Sequence, residues 1–474
     1  MKLQYLPALI CAAISTQLEA AKVIPNHAAA NLVLGQPDFV TSSFTSPYTS
    51  FRMQYVVSVI VDPVTRKVFV GDGDGDRILR FANVSSLVNG APAEAVFGAA
   101  SFSDSDEGIS QTKFKDPNAL CLDRFGRLWV ADTFNNRVLC FEAAAFRANL
   151  PAADLVFGQL DFTTATSGVT ASKMNGPRGV WVDSSDNLWV ADSNNNRVLK
   201  FASISNKNSG ASADSVIGQA NFTTGTAGSG NNGLQFPNSV HVSSKGTLYV
   251  SCETAHRVMV FNNAAGLGTN PPASFVYGQP DFATTTSGLT DSKFNIPAGC
   301  FVTPDDSLWV TDSSNSRLLR FSKVSTKANG APADGVIGQA DFVTNTPGVT
   351  SQALNFPIGS AVVDATGSLW IADRYNNRVV RFAPDTKKPT LVVTSNVPSS
   401  TTKAKLTIKG TASDNSSVSK VQFQVNGGNP KNATGTTSWQ FKASLKPGKN
   451  NIKVFAVDSV GNKSVIKTLK VTRS

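Results

Sequence analysis

Three stretches carry side chains whose types and spacing suit chemistry. In "SCETAHR" (251–257), Cys252, Glu253 and His256 fall within one turn, and His241 lies eleven residues upstream. A thiolate, a carboxylate and two imidazoles are donors of the kind zinc takes. In "GDGDGDR" (71–77), Asp72, Asp74 and Asp76 alternate with glycine and offer hard oxygen ligands for Ca²⁺. The acidic residue that closes an EF-hand loop is missing, because the twelfth position is Asn83. In "LWVADSNNNRVLKF" (188–201), Asp192 and Arg197 stand five residues apart around three asparagines, as members of a polar site or of an ion pair would.

Repetition weighs against a site for the third stretch. An arginine followed by two aliphatics, a variable residue and Phe recurs at Arg77, Arg137, Arg197, Arg257, Arg317 and Arg378, at spacings of 60, 60, 60, 60 and 61 residues. An aspartate precedes five of them by five residues: Asp72, Asp132, Asp192, Asp312 and Asp373. An aromatic stands three residues earlier still: Phe69, Trp129, Trp189, Tyr249, Trp309 and Trp370. A second signature, G-Q-x-[DN]-F, begins at Gly35, Gly158, Gly218, Gly278 and Gly338, with a degenerate copy at Gly98. A pair needed in nearly every unit serves the unit, so Asp132–Arg137, Asp192–Arg197, Asp312–Arg317 and Asp373–Arg378 are read as cross-strand fasteners.

Each unit reads as four strands. In the third they are "GVWVD" (a), "LWVAD" (b), "RVLKF" (c) and "SVIGQ" (d). The first three are apolar on both faces, as strands packed between neighbouring sheets must be. Six four-stranded units in a ring make a six-bladed β-propeller. The chain begins with a d-type strand, "NLVLGQ" (31–36), and the last unit stops after strand c at Phe382, so the N-terminal strand is expected to complete the sixth blade.

"PRGVWVDSSDNLWVADSNNNRVLKF" resembles an NHL repeat, and "PADGVIGQADF" (332–342) resembles the linker of exported bacterial NHL-repeat proteins. The resemblance covers residues 31–382 in six registers. It implies a propeller over 21–382 whose b–c turns and d–a loops share one face, where loops on a rigid scaffold carry function. Residues beyond 385 break the period and form short alternating strands between Gly, Asn and Pro turns. The closing "AVDSVGN" resembles the last hairpin of bacterial immunoglobulin-like domains, which implies a β-sandwich over 390–474 after a linker at 383–389.

On the propeller face, departures from the repeat are the ligand-binding candidates. Phe134 and Tyr375 sit mid-turn, where burial in a blade is not expected, with Arg374 beside Tyr375. Arg178, Asn118 and Asn238 follow the strand-a proline, and Glu253 and His256 occupy the odd fourth turn. Exposed aromatics on such a face suit a sugar ring or a protein anchor. Beside the metal donors of the fourth turn, calcium at Asp72, Asp74 and Asp76 is the cofactor weighed for the propeller.

Six-bladed relatives include amidating lyases, which hold a metal through several channel histidines, and lactonase-type hydrolases, which hold calcium through Glu, Asn and Asp. The mature chain has only His27, His241 and His256, not at equivalent positions, and no nucleophile elbow. Non-catalytic binding is therefore the main reading, with a metal-dependent lyase or hydrolase in the channel as the alternative.

The 474-residue chain carries a net +10, unevenly divided. Residues 386–474 hold fourteen Lys and Arg473 against Asp414 and Asp458, a balance of +13 that leaves −3 elsewhere. A basic sandwich suits an anionic polysaccharide or envelope surface, whereas a net-acidic propeller does not suit nucleic acid. Residues 1–20 have the lysine, apolar run and small-residue end of a secretory signal peptide, so a secreted or extracytoplasmic monomer without a transmembrane segment is expected. Cys121, Cys140, Cys252 and Cys300 show no CxxC pair and read as buried free thiols.

Overall fold

The computed structural model describes residues 23–44 and 46–474. The expected signal peptide, 1–20, lies outside the described residues. The chain divides into two compact units, one spanning Asn26–Ala383 and the other containing Pro384–Ser474.

The first unit is a six-bladed β-propeller of six four-stranded antiparallel sheets. The third blade shows why the repeat folds this way. Its strands are Pro177–Val182, Leu188–Asp192, Arg197–Phe201 and Ser215–Ile217, in that order across the sheet. The middle two are buried at every residue, because each blade is covered on both faces by its neighbours. Trp189 is fully buried, and its indole N–H donates to Asp183 Oδ2 at 2.9 Å; Trp129 with Asp123 and Trp370 with Asp364 repeat the bond. A buried indole needs such an acceptor, which accounts for the aspartate that follows strand a in these blades.

Ring closure follows the sequence expectation. Leu32–Leu34 pairs antiparallel with Arg378–Phe382, with Val33 opposite Val380, and completes the sheet containing Leu369–Asp373 and Pro357–Val363. The last blade is thereby fastened by residues from both ends of the ring.

The second unit contains a three-stranded sheet (Thr390–Val393, Lys405–Ser413, Ser438–Ser444) and a five-stranded one. The latter runs Ser400–Thr401, Lys467–Arg473, Gly448–Asp458, Val418–Val425, Lys431–Asn432. Strict alternation along Ser438–Ser444 sends Trp439, Phe441 and Ala443 inward, onto a core with Ile408, Val421, Ile452 and Val454. Asp385 is only 8% exposed, so the stretch read as a linker contributes a buried side chain to this unit. Among the described residues no helix is long and apolar enough to cross a membrane.

Candidate functional site

The propeller face is built from the b–c turns and d–a loops, and the repeated polar residues hold these together. Asp192 and Arg197 face each other at the strand ends, both fully buried, with Nε donating to Oδ2 at 2.7 Å. Arg197 also donates to the carbonyls of Phe222, Thr170 and Lys173, at 2.6, 2.8 and 2.9 Å. It thus ties two successive d–a loops to one turn. Asp192 accepts the Asn175 N–H and the Asn195 side-chain amide, so its oxygens are satisfied. Asp72–Arg77, Asp132–Arg137, Asp312–Arg317 and Asp373–Arg378 form the same buried pair at 2.7–2.8 Å.

The glutamine of the second signature likewise ties loop to turn. Gln159 Nε2 donates to the carbonyls of Asn136 and Thr166, both at 3.0 Å. Gly158 before it has φ +85°, and a Cβ there would lie 2.8 Å from Met174 Sδ.

Around the channel mouth runs a second ring of contacts that the repeat did not disclose. The residue before each b–c arginine is left-handed, with φ of 46–53° at Asp76, Asn136, Asn196, His256, Ser316 and Asn377. Its side chain accepts a backbone N–H from the next blade. Asp76 accepts from Asp116 at 2.7 Å, Asn136 from Gly176 at 2.8 Å, and Asn196 from Phe236 at 2.8 Å. Ile296 donates to His256 Nδ1 at 3.1 Å, Phe356 to Ser316 at 3.4 Å, and Tyr55 to Asn377 at 2.9 Å. The last bond joins blade six to blade one.

The six donating residues are themselves left-handed, with φ from 48° to 59° at Tyr55, Asp116, Gly176, Phe236, Ile296 and Phe356. Only one is glycine, the residue that takes this conformation without cost. A β-branched or bulky residue held there is strained by about 1–3 kcal/mol, and such strain concentrates at functional sites.

Those side chains form a mixed aromatic and charged mouth. Phe356 stacks on Tyr375 (4.8 Å, 19°), and Tyr55 meets Tyr375 edge-on (5.6 Å, 84°). Arg374 lies over Tyr55 and Arg178 over Phe236, with guanidinium carbons 5.4 and 4.9 Å from the ring centres. Arg374 Nε is buried and lacks a hydrogen-bond partner. Burial pushes the pKa of Asp116 up while the charges of Arg178 and Arg374 pull it down, which places this carboxylate within reach of both arginines' fields. Tyr375 is 46% exposed and Phe134, on the next turn but one, 58%.

The remaining sequence candidates separate. Asn118 and Asn238 are buried at the channel wall, and Asn238 donates to Glu253 at 2.6 Å. His256 serves as a blade-to-blade latch, so its Nδ1 is occupied. His241 lies between Trp181 and Phe301, ring centres 4.2 and 4.6 Å away, and neither nitrogen finds a hydrogen-bond partner. Burial, with the Val302 backbone opposing, pushes its pKa down to about 3. Cys252, Glu253, His256 and His241 therefore do not converge as metal donors.

The calcium reading of the first turn meets a similar obstacle. Asp72 is spent on Arg77 and the Gln54 N–H, and Asp76 latches Asp116, while Asp74 faces solvent. With two of the three so engaged, these carboxylates do not converge on one point. Among the described residues the only three His, Cys, Asp or Glu groups that converge lie in the second unit. Cys121, Cys140, Cys252 and Cys300 are buried and free.

The channel itself is narrow. The cavity between Asn118, Arg178, Asn238, Ser239, Ser360 and the His241 level is about 40 Å³. Small-molecule sites measure about 300–1,000 Å³. The interior is therefore too small for a ligand of that size.

Residues 174–201 match the NHL repeat and residues 389–454 the bacterial Ig domain. No curated protein matches the chain. Among solved structures, the chain is similar to virginiamycin B lyase from Staphylococcus aureus (12% identity, 72% of this chain and 88% of that one, TM-score 0.39). It is also similar to an auxiliary nutrient binding protein from Bacteroides thetaiotaomicron (10%, 74% and 76%, TM-score 0.46). An extracellular domain from B. thetaiotaomicron is similar at 12% identity, over 94% of this chain and 59% of that one, with a TM-score of 0.42. Likenesses this distant carry no activity across.

Proposed function

We propose that this protein, an NHL-repeat propeller followed by a bacterial Ig domain, is an exported non-catalytic binding protein whose propeller mouth engages a glycan or protein surface. The observation that carries the reading is the strained ring: five of its six left-handed positions keep a side chain where glycine would fit freely, and three of the five are aromatic. Together with the unpaired Arg374 and the exposed Tyr375 they give stacking faces, a cation and a carboxylate within one mouth, the composition of a recognition hot spot. Export is supported by the N-terminal sequence alone.

The second unit adds an electrostatic hold. Lys405, Lys409 and Lys442 are exposed on one sheet, and Lys449, Lys453, Lys467 and Lys470 on the other. This array suits anionic polysaccharide or an envelope surface.

The test is a glycan array and an extracellular-protein pull-down with the full chain, each run beside Tyr375→Ala and Arg374→Ala. A ligand retained by the native chain and lost in both variants is the expected result. A ligand that ignores both substitutions would place recognition away from the mouth.

A further inference from the structure

The basic unit contains one acidic spot, and it is concentrated. Residues 384–474 hold three carboxylates in all, Asp385, Asp414 and Asp458, among fourteen lysines. One oxygen from each lies within 4.8 Å of the others. Asp458 is 1% exposed and Asp385 8%, while Asp414 is half-buried.

Each carboxylate is oriented by its own turn. Asp385 Oδ1 accepts the Lys387 N–H at 2.9 Å, and Asp414 Oδ1 accepts the N–H and hydroxyl of Ser416 at 2.9 and 2.8 Å. Asp458 Oδ1 accepts the N–H groups of Val460 and Asn462 at 3.0 and 2.8 Å. The Asn462 side chain donates in turn to the Asp385 carbonyl at 3.1 Å, which ties the first turn to the last. This leaves the second oxygens. Asp385 Oδ2 and Asp458 Oδ2 are buried and have no hydrogen-bond partner.

Two buried, partnerless carboxylate oxygens beside a third carboxylate are a costly arrangement unless a cation sits among them. Lysines flank the cluster in sequence, at Lys387, Lys388 and Lys463, yet among the described residues none pairs with it. Oxygens held at about 2.3–2.6 Å from one Ca²⁺ can be at most about 5 Å apart, which the observed separations satisfy. Three hard oxygen donors without nitrogen or sulfur disfavour zinc.

We propose that Asp385, Asp414 and Asp458 form a calcium site of the Ig domain. The ion would join the segment entering the domain to the ends of strands Lys405–Ser413 and Gly448–Asp458.

The experiment is a calcium titration of the chelator-stripped full chain by calorimetry, with magnesium as comparison, beside melting curves in calcium and in chelator. One calcium per chain is expected. Asp414→Asn should weaken binding at least tenfold, and Asp385→Asn with Asp458→Asn should remove it. Asp458→Asn keeps the Oδ1 acceptor and removes a buried charge, so the stabilities should cross. In chelator this variant should melt at or above the native temperature, and in calcium several degrees below it. Asp74→Asn should leave binding unchanged. No binding up to about 10 mM calcium, or equal binding in the double variant, would overturn the site (about 10 mM is already weaker than the weakest extracellular calcium modules). A melting order that is the same in both buffers would overturn it as well. None of these results depends on whether the propeller mouth binds a ligand.

Discussion

Arg257 lies fully buried opposite Cys252, and its Nε has no hydrogen-bond partner. In the five sister blades the same nitrogen meets an aspartate at 2.7–2.8 Å. The guanidinium keeps its carbonyl contacts to Phe282, Gly230 and Gly233, so the arginine stays in place without its counter-charge. Burial pushes the Cys252 thiol's pKa up, with the Arg257 charge opposing, and a neutral thiol is a poor acceptor. Cys252→Asp should therefore restore the pair and stabilise the propeller by about 1.5–3 kcal/mol, the range for a hydrogen bond to a charged group. Denaturant midpoints read this directly. Cys252→Ala, which supplies no acceptor, should show no gain.

His256 accepts the Ile296 N–H through Nδ1, so that nitrogen must be unprotonated for the fourth latch to hold. Burial lowers its pKa below the ordinary 6.5, and the Glu253 charge opposes this. A folded-state pKa below the unfolded one gives stability that is present above about pH 6.5 and lost as pH falls through the depressed value. His256→Asn supplies the amide acceptor used at Asn136, Asn196 and Asn377, without titration. Melting curves from about pH 7.5 to about 4.5 should fall less steeply for the variant than for the native chain. Parallel curves would show that the latch does not titrate.

Asp76 makes the same latch in blade one with the opposite linkage. Burial raises its pKa from 3.8 to about 7, the N–H of Asp116 opposes, and the nearby Glu107, Asp116 and Asp132 charges add to the rise. A carboxyl with a raised folded-state pKa contributes stability that is complete below about 3.8 and lost as pH climbs through about 7. Asp76→Asn keeps the acceptor and removes the charge. The side chain is partly exposed, so solvent screening trims the gain to about 1 kcal/mol at about pH 8, vanishing near about pH 4. Chemical denaturation at the two pH values checks both halves.

The blade architecture was legible because its signals repeat. Asp192 beside Arg197 looks like a site in one segment and like a fastener in five, and the d-type strand at 31–36 dictates the ring closure. Residues whose role depends on a neighbour one blade away were opaque. His256 stood out as an imidazole beside Glu253, whereas its job is the one that Asn196 does unremarked. The mouth residues Tyr55, Asp116, Phe236, Ile296 and Phe356 were missed because their distinguishing property is a positive φ, which side-chain type alone conceals. Five of the six ring positions directly precede a strand-opening proline, at Asp116, Gly176, Phe236, Ile296 and Phe356; that alignment was the available clue. In the second unit, three aspartates spread from 385 to 458 carried no spacing signature, so only the fold could bring them together.

The split charge makes a prediction for the whole chain. Residues 386–474 carry +13 and the remainder −3, so attraction to a polyanion should come from the lysine-covered sheets. Exposed charges separated by more than a Debye length of about 10 Å at about 0.1 M salt are screened from one another, so retention of the full chain on a heparin-type column should decline steeply between about 0.1 and 0.5 M salt. Replacing Lys405, Lys409 and Lys442 together by Gln removes charge from one sheet without touching its inward-facing core. That variant should elute at distinctly lower salt, whereas Arg374→Ala on the propeller should elute with the native chain. Retention that ignores salt, or that follows Arg374 instead of the three lysines, would move the anionic contact off the Ig domain.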